Sequence, residues 1–415
     1  MQDIVVIGGG ASGMAAAVSA ARAGASVTIL EHNDILGKKL LSTGNGRCNL
    51  TNLRIRSKDY RSDDPEFAGE FLEGFDSAPA LEFLASVGIY TKCRGDYVYP
   101  LCDQASAVRE AFDTELLRLG ARVVTDCHAE HIRRTKGGFL INCQGQNKSF
   151  YASKVILAAG SKASDISGSD GSGYALAKEL GHSLSPVVPA LAPLVSDKKW
   201  FRKLAGIRTL AAVSLFVEGR FTAEDMGELQ LTDYGISGIP VFQISRYAAK
   251  ALRENKNVTV QIDFLPHIPK KELYRELHRR RELWGKCAAQ KLLNTIFPSK
   301  LIPVLLAESG IERQVWAEKI SEETWRKFAD CCKCFEVPVS GTKPFSRAQV
   351  CAGGVKTAEV SPRTMESKLV KGLFLTGELL DIDGICGGYN LHFAWGSGIR
   401  AGQYAAAPYP QTNGL

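Results

Sequence analysis

Gly8, Gly10 and Gly13 stand directly after the apolar run Ile4-Val5-Val6-Ile7 and open an alanine-rich stretch from Ser12 to Ala23. In this G-x-G-x-x-G spacing the first glycine allows a tight turn and the second lets backbone approach a diphosphate. The third lets a helix pack closely on a strand. Ala11 and Ser12 fall at the start of that helix, where unpaired N–H groups and the positive end of the helix dipole favour an anion. Glu31 follows Gly13 by eighteen residues, at the end of a second β-rich run, Ser26 to Leu30. An acid there accepts hydrogen bonds from ribose hydroxyls and repels a 2′-phosphate. The pattern therefore selects FAD or NAD over NADP.

An NAD dehydrogenase would continue with regular strand–helix units. This chain runs instead into Gly37-Lys38-Lys39-Leu40-Leu41-Ser42-Thr43-Gly44-Asn45-Gly46-Arg47-Cys48-Asn49. Glycine N–H groups, two lysines and an arginine in one loop are a means of holding a long anionic cofactor beyond its first half. No second strand–GxGxxG–helix follows. Gly168-Ser169-Asp170-Gly171-Ser172-Gly173 has the glycines but no preceding strand, and reads as a loop before a helix from Tyr174 to Leu180. NAD(P)H, if used, is expected to dock transiently as a donor rather than in a Rossmann domain of its own.

The elements that must position these residues are those of a folded globular protein. The 415 residues suffice for two or three cores, with 45% hydrophobic and 23% charged residues. The net charge of +7 is spread along the chain; it suits an anionic cofactor or substrate and gives little support for nucleic acid. The densest basic stretch, His278-Arg279-Arg280-Arg281, sits in a helical pattern and reads as a solvated face. Eleven cysteines form no disulfide framework. The CxxC within Cys331-Cys332-Lys333-Cys334 lacks the second pair or the histidines of a zinc site, so it reads as reduced thiols at a helix end, with no metal. That cysteine usage fits a reducing, cytoplasmic compartment. No apolar run is long enough to span a membrane, and the N-terminal stretch reads as strand and helix rather than a signal peptide.

Helical spacing of Val108, Phe112, Leu116 and Leu119 predicts a helix from Ala105 that Gly120 ends. Four alternating stretches follow, Ala121–Thr125, Ala129–Ile132, Phe139–Cys143 and Lys148–Tyr151, which together suggest an antiparallel meander. Val155-Ile156-Leu157-Ala158 is a second buried strand, ending at Ala159-Gly160. Pro186, Pro189 and Pro193 then break the chain. Strand-like pieces appear at Ala211–Val217 and Val258–Phe264, residues 269–330 are polar and helical, and the C-terminal part returns to glycine-rich α/β character. The layout is an α/β cofactor domain made from both ends of the chain, with an inserted middle.

Gly8 to Gly13, Gly37-Lys38-Lys39, Gly44 to Asn49, Ala158-Ala159-Gly160, Gly235-Ile236-Ser237-Gly238, Ala352-Gly353-Gly354-Val355, Met365-Glu366-Ser367, and Gly377-Glu378 through Gly387-Gly388-Tyr389-Asn390 are motifs of a known family. Over essentially its whole length the chain resembles the BaiN/YhiN-type NAD(P)/FAD-dependent oxidoreductases, also called aminoacetone-oxidase-like flavoproteins. The resemblance implies a glutathione-reductase-like FAD-binding Rossmann domain, with a parallel sheet plus an antiparallel meander. A β-rich insert domain carrying a helical subdomain interrupts it. The expected bounds are 1–188 and 345–415 for the FAD domain, 189–265 and 333–344 for the insert, and 266–332 for the helical subdomain. The implied FAD contacts add Lys38, Lys39, Thr43, Gly44, Asn45, Gly46, Arg47, Cys48, Asn49, Ala129, Ala159, Gly160, Gly377, Glu378, Asp383, Gly387, Gly388, Tyr389 and Asn390 to the first motif and Glu31.

BaiN-type members are associated with ene reduction of 3-oxo bile-acid intermediates. The resemblance therefore implies an enzyme that reduces a conjugated enone, or a related small hydrophobic substrate, by flavin hydride transfer. Such a reaction needs a donor to polarise the carbonyl and an acid to protonate the α-carbon. Tyr389, His392, Arg47 and Tyr234 are the candidates, each with packing or cofactor contact as its alternative; His392, beside Phe393 and Trp395, has the makings of a core histidine. Two departures from the family pattern stand out. Thr232-Asp233-Tyr234 replaces Thr-His before Gly-Ile-Ser-Gly, with Ile239 where proline is usual, and Cys351 stands where threonine is common. A flavin amine oxidase using oxygen, a dithiol oxidoreductase and a non-enzymatic flavin- or nucleic-acid-binding module are the competing readings. The expected partner is a small molecule, without nucleic acid or membrane, and the oligomeric state stays open.

Overall fold

The computed structural model describes residues 3–144, 149–164 and 167–408. They fall into two compact units, Met1–Val188 with Gln349–Leu415, and Pro189–Ala348. Lys148, the first residue of the fourth expected stretch, lies outside the described residues.

The first unit starts with β1 (Asp3–Ile7), α1 (Ala11–Arg22) and β2 (Ser26–Leu30). Its five-stranded sheet runs in the order Leu373–Leu375, Lys154–Leu157, β1, β2, Arg122–Val124, and every neighbouring pair is parallel. Strands covered on both faces read as continuous apolar runs, and Ile4–Ile7, Lys154–Leu157 and Leu373–Leu375 are buried throughout. Arg122–Val124 departs from the expectation. The sequence groups it with the meander, but the structure adds it to the edge of the parallel sheet. The reason is the helix Ala105–Arg118 just before it, which supplies the crossover that a parallel strand requires. The meander itself has three strands, Ala129–Thr135, Gly138–Cys143 and Ser149–Ala152.

α1 packs along the helix Tyr389–Ala406 from the other end of the chain. Small residues set how closely they approach. A methyl group on Gly398 would lie 2.2 Å from the carbonyl oxygen of Ser12, and one on Gly402 would lie 2.3 Å from that of Ala16. Phe112 stacks on Trp395 at 5.3 Å and 8°. Both are buried in the core that also holds Ile4, Val6, Met14 and Phe374.

The second unit is built on a seven-stranded sheet in the order Phe335–Pro338, Val258–Asp263, Ile207–Val217, Arg220–Leu231, Gly235–Ser237, Leu194–Val195, Gly341–Thr342, with antiparallel pairs throughout. The helix Ile239–Arg253 buries Val241, Ile244 and Ala248 against it. Helices Lys270–Trp284, Ala289–Leu293, Ile302–Glu308 and Glu322–Lys333 carry Leu273, Leu277, Leu305, Trp325 and Phe328 into the same core. Arg279 and Arg280 both donate to the Glu276 carboxylate, so the basic stretch is partly neutralised on its own helix. Cys331 and Cys334 flank the end of Glu322–Lys333, and the Cys334 thiol donates to Gln261 Oε1 at 3.4 Å. Among the described residues no helix is long and apolar enough to cross a membrane.

Candidate active site

At the turn from β1 to α1 each glycine of the motif meets a different demand. A methyl on Gly8 would lie 2.5 Å from Ala158 O, and one on Gly13 would lie 1.9 Å from Gly8 O, so these two are packed against backbone. Gly8 also holds φ at +100°, a conformation that side-chain-bearing residues rarely adopt. At Gly10, the residue capping α1, a methyl would meet nothing within 4 Å. The backbone there faces open space at the positive end of a helix, which is where an anionic group docks.

Glu31 is buried at the tip of β2. Its Oε2 accepts from Gly9 N at 2.7 Å, and its Oε1 accepts from the Asn33 backbone N and from Asn33 Nδ2, both at 2.8 Å. His32 Nδ1 lies 3.2 Å from Oε1. The carboxylate is thus fixed beside the diphosphate turn, and Oε2 keeps a lone pair for a ribose hydroxyl.

The next loop is a 3-10 segment, Lys38–Gly46, kinked at Thr43, after which Gly44, Asn45, Gly46 and Cys48 all take positive φ. The two lysines diverge. Lys38 pairs with exposed Asp34, whereas Lys39 Nζ meets Glu378 Oε2 at 2.6 Å, and Ser161 Oγ donates to the same oxygen at 2.8 Å. Lys39, Ser161 and Glu378 thus bring three separate segments to one point. Arg47 is exposed on the loop, while Cys48 is buried, and burial pushes its thiol up to about 12. The Thr43 hydroxyl donates to Leu40 O at 2.6 Å. The Thr43 hydroxyl and the buried Cys48 thiol are thus turned into the protein, whereas Lys38 pairs at the surface.

A clamp joins this loop to the helix Tyr389–Ala406. The Asn49 amide, oriented so that its nitrogen donates to Val98 O and Thr51 O, accepts from Gly388 N at 3.2 Å. Asn52 Nδ2 donates to Gly387 O at 3.0 Å, and Trp395 Nε1 donates to Leu50 O at 3.0 Å. Gly387 and Gly388 hold φ at +123° and +95°, and a methyl on Gly388 would strike the Thr51 backbone at 2.6 Å. Asn390 closes the turn by bonding both N and O of Gly384. His392 belongs to this clamp. It is fully buried, its Nδ1 lies 2.9 Å from Thr51 Oγ1, its Nε2 lies 3.3 Å from Phe75 O, and burial pulls its pKa down to about 4. Both ring nitrogens are occupied and neutral imidazole is favoured, so its surroundings support the core-histidine alternative over proton donation to a substrate.

Tyr389 is placed differently. Its hydroxyl donates to Arg54 O at 3.2 Å, its ring lies near Gly387, and burial, then the Asp59 charge, raises its ionisation. The phenol keeps its proton at neutral pH. Asp383 is buried in a short pairing with Tyr60–Arg61, and Ala129 starts the first meander strand, with its backbone in register with Cys143. Ala159 touches the position a methyl on Gly173 would fill, while a methyl on Gly160 would meet nothing within 4 Å. Tyr234 belongs to the second unit, where Lys343 Nζ sits 3.7 Å from its ring centre. The sequence reading missed Ser161 and Thr51 as members of these clusters. Ser161 directly follows Gly160, and that adjacency was the available signal.

The residues fit an adenine dinucleotide. Gly10 and Gly160 present backbone to open space, and Lys39, Ser161 and Glu378 meet beside the Gly160 turn. A long anionic ligand with ribityl and ribose hydroxyls is matched by such donors and acceptors. Glu31 would take the adenosine ribose, the α1 N-terminus the diphosphate, and the Lys39–Ser161–Glu378 cluster the stretch beyond. Among the described residues no cluster of His, Cys, Asp or Glu could hold a metal ion.

A parallel α/β sheet with a diphosphate turn, a ribose-binding acid and a C-terminal glycine pair defines a dinucleotide-binding flavoprotein of the FAD-dependent oxidoreductase class. Residues 2–404 match the HI0933-like protein Rossmann domain, and the chain belongs to that family. It is 48% identical over 408 residues, covering 98% of this chain and 99% of the relative, to the 3-dehydro-bile acid delta(4,6)-reductase of Clostridium scindens. It is 29% identical over 401 residues, 95% of this chain and 96% of the relative, to a ribosomal RNA dihydrouridine synthase of Haemophilus influenzae. Among solved structures, the 3-ketosteroid-delta4-(5alpha)-dehydrogenase of Rhodococcus jostii RHA1 shares the fold at a TM-score of 0.51 and 16% identity, with 98% of this chain and 97% of that chain covered. The chain is an FAD-dependent oxidoreductase, as its sequence motifs imply.

Proposed function

We propose that this enzyme reduces a conjugated enone of a hydrophobic, steroid-like small molecule, with NAD(P)H as a transient electron donor. The observation that carries this reading is the 48% identity, over 98% of the chain, to a relative named for reduction of a 3-dehydro-bile acid. Bound FAD supplies the hydride chemistry.

The protein's own share is to bind, orient and protonate. The Gly387-Gly388 turn starts the helix Tyr389–Ala406, whose N-terminal dipole favours negative charge on whatever lies before it. Tyr389, whose phenol is protonated and donates to Arg54 O at 3.2 Å, is the proposed acid for the α-carbon. Arg47, an exposed cation on the glycine loop, is the proposed group for the substrate carbonyl. His392 orients Thr51 and the glycine turn from behind.

The reading is tested by anaerobic stopped-flow reduction with NADH and NADPH, followed by mixing with a 3-oxo-Δ4 steroid, an aliphatic amine under oxygen, or a uridine-containing RNA. Flavin reduction by one nicotinamide and reoxidation by the steroid alone is the result expected. Reoxidation by RNA alone would assign the chain the chemistry named for its 29% relative. Peroxide matching amine consumed would make it an oxidase.

A further inference from the structure

The strand Tyr97–Pro100 is the middle member of a three-stranded antiparallel sheet, between Thr51–Asn52 and Thr91–Arg94. Its side chains alternate. Val98 and Pro100 are buried, whereas Tyr97 is 41% exposed and Tyr99 is half-buried. Successive residues of a strand point to opposite faces, so Tyr97 and Tyr99 share the open face of this sheet. One aromatic ring at a surface needs no explanation. Two on one face, each set against a glycine turn of the cofactor site, do.

The Tyr97 ring lies on Gly387. Its Cε1 and Cδ1 stand 2.7 and 3.4 Å from where a methyl on that glycine would be, and Tyr389 Cε2 stands 3.4 Å from the same point. Tyr97 therefore adjoins both the turn before the helix Tyr389–Ala406 and the ring of Tyr389. Asn52, paired with Tyr97 across the sheet, donates Nδ2 to Gly387 O at 3.0 Å and so ties the sheet to this turn. Two residues along, Tyr99 Cε1 lies 3.7 Å from where a methyl on Gly44 would be, on the kinked loop that leads to Arg47. The Arg94 guanidinium carbon is 5.4 Å from the centre of the Tyr99 ring, a cation–π distance. An aromatic strip thus runs from one glycine turn to the other, and Tyr97 is its more open end.

We propose that Tyr97, continued by Tyr99, is the wall on which the fused-ring apolar skeleton of the substrate lies, so that this strip selects flat multi-ring enones over small single-ring ones. The proposal rests on the enone reading above. In that reading the substrate must reach Tyr389, the proposed acid, and Arg47, the proposed carbonyl group. Tyr97 adjoins the first and Tyr99 adjoins the loop that carries the second, so a skeleton spanning the two passes over the strip. Tyrosine suits the task, because its ring offers a large rigid apolar face while its hydroxyl stays wet.

The experiment compares wild type, Tyr97→Ala and Tyr97→Phe as oxidised holoenzymes. Steroid binding is read from the shift of the flavin absorbance band on titration with a 3-oxo-Δ4 steroid, and FAD affinity from flavin fluorescence. Turnover is measured with that steroid and with 2-cyclohexen-1-one. Tyr97→Ala should bind the steroid about tenfold more weakly, and the ratio of kcat/KM for steroid over cyclohexenone should fall by a similar factor. FAD affinity should hold, and Tyr97→Phe, which keeps the ring, should restore steroid binding. Steroid affinity in Tyr97→Ala equal to that of wild type overturns the proposal. So does an unchanged kcat/KM ratio, which would mean a distorted turn rather than a lost wall, and so does a loss of FAD affinity, which would make the ring part of the cofactor grip. If wild type binds no steroid, the enone reading falls and takes this proposal with it, a result distinct from steroid binding that wild type and Tyr97→Ala share equally.

Discussion

Acid should loosen the FAD-binding unit through one residue, His392. Burial lowers its pKa from the ordinary 6.5 to about 4, a difference of 2.5 units. At about 1.4 kcal/mol for each of these this is worth about 3.5 kcal/mol. The sign follows from proton counting. Between pH 6.5 and 4 the unfolded chain holds a proton on this imidazole and the folded chain does not, so falling pH favours unfolding. The contribution is complete above 6.5 and lost through 4, with a slope of at most about 1.4 kcal/mol per pH unit. His182, also lowered chiefly by burial, adds in the same direction below 6.5. Glu115, held down at about 2 by Arg118 and Arg22, acts only at lower pH. In His392→Gln the imidazole contribution disappears, while loss of the Thr51 and Phe75 bonds costs about 1–3 kcal/mol at neutral pH. The variant should therefore be less stable than wild type at pH 7.5 and nearly equal to it at pH 4.5. The measurement is urea denaturation of apoprotein across that range, read from Trp395 in a background where Trp200, Trp284, Trp316 and Trp325 are phenylalanine. Parallel stability curves for the two proteins would refute the reasoning.

Gly10→Ala adds its methyl to open space, so the apoprotein should hold or gain about 0.5 kcal/mol while FAD affinity falls at least tenfold. Gly13→Ala, which would set a methyl 1.9 Å from Gly8 O, should instead lower apoprotein stability by about 1–3 kcal/mol; paired denaturation and FAD titrations distinguish the two. Tyr389→Phe should reduce the rate of substrate-driven flavin reoxidation about a hundredfold with FAD affinity unchanged, as expected for loss of a general acid. An unaltered rate in single-turnover kinetics would remove Tyr389 from that role. Native alkylation with iodoacetamide at pH 8 should label exposed Cys93, Cys102 and Cys334 and spare buried Cys48, whose thiol titrates only near 12; peptide mass spectrometry reads the result.

The nucleotide half of the site was legible because its demands are local. A turn, a helix start and an acid at a strand tip occupy one short stretch, and each constrains a residue type at a fixed spacing. The central strands were legible for a related reason: both faces are covered, so apolar runs mark them. What the sequence obscured depended on partners far along the chain. Arg220–Leu231 was not read as a strand, since only Leu229 and Leu231 of it are buried and its polar residues obscure the apolar alternation. Arg122–Val124 resembles a meander strand until the helix before it is seen to carry it across to β2. Lys38 and Lys39 are equivalent as text, yet only Lys39 finds Glu378, a residue 339 positions later. His392 carried the residue type of a proton donor, and only its burial between Thr51 and Phe75 shows what it is placed to do.

The same distinction bears on specificity. The turns at Gly8, Gly13 and Gly388 leave no room for a side chain against neighbouring backbone, a constraint that does not depend on the substrate. Side chains on less constrained segments are where members of one family are free to differ. The turn Thr232-Asp233-Tyr234 is one, where the family usually carries histidine. Here Asp233 is exposed and the Tyr234 ring holds the Lys343 ammonium at 3.7 Å. The turn thus offers a carboxylate and a cation on an aromatic face where an imidazole would offer a ring that both donates and accepts.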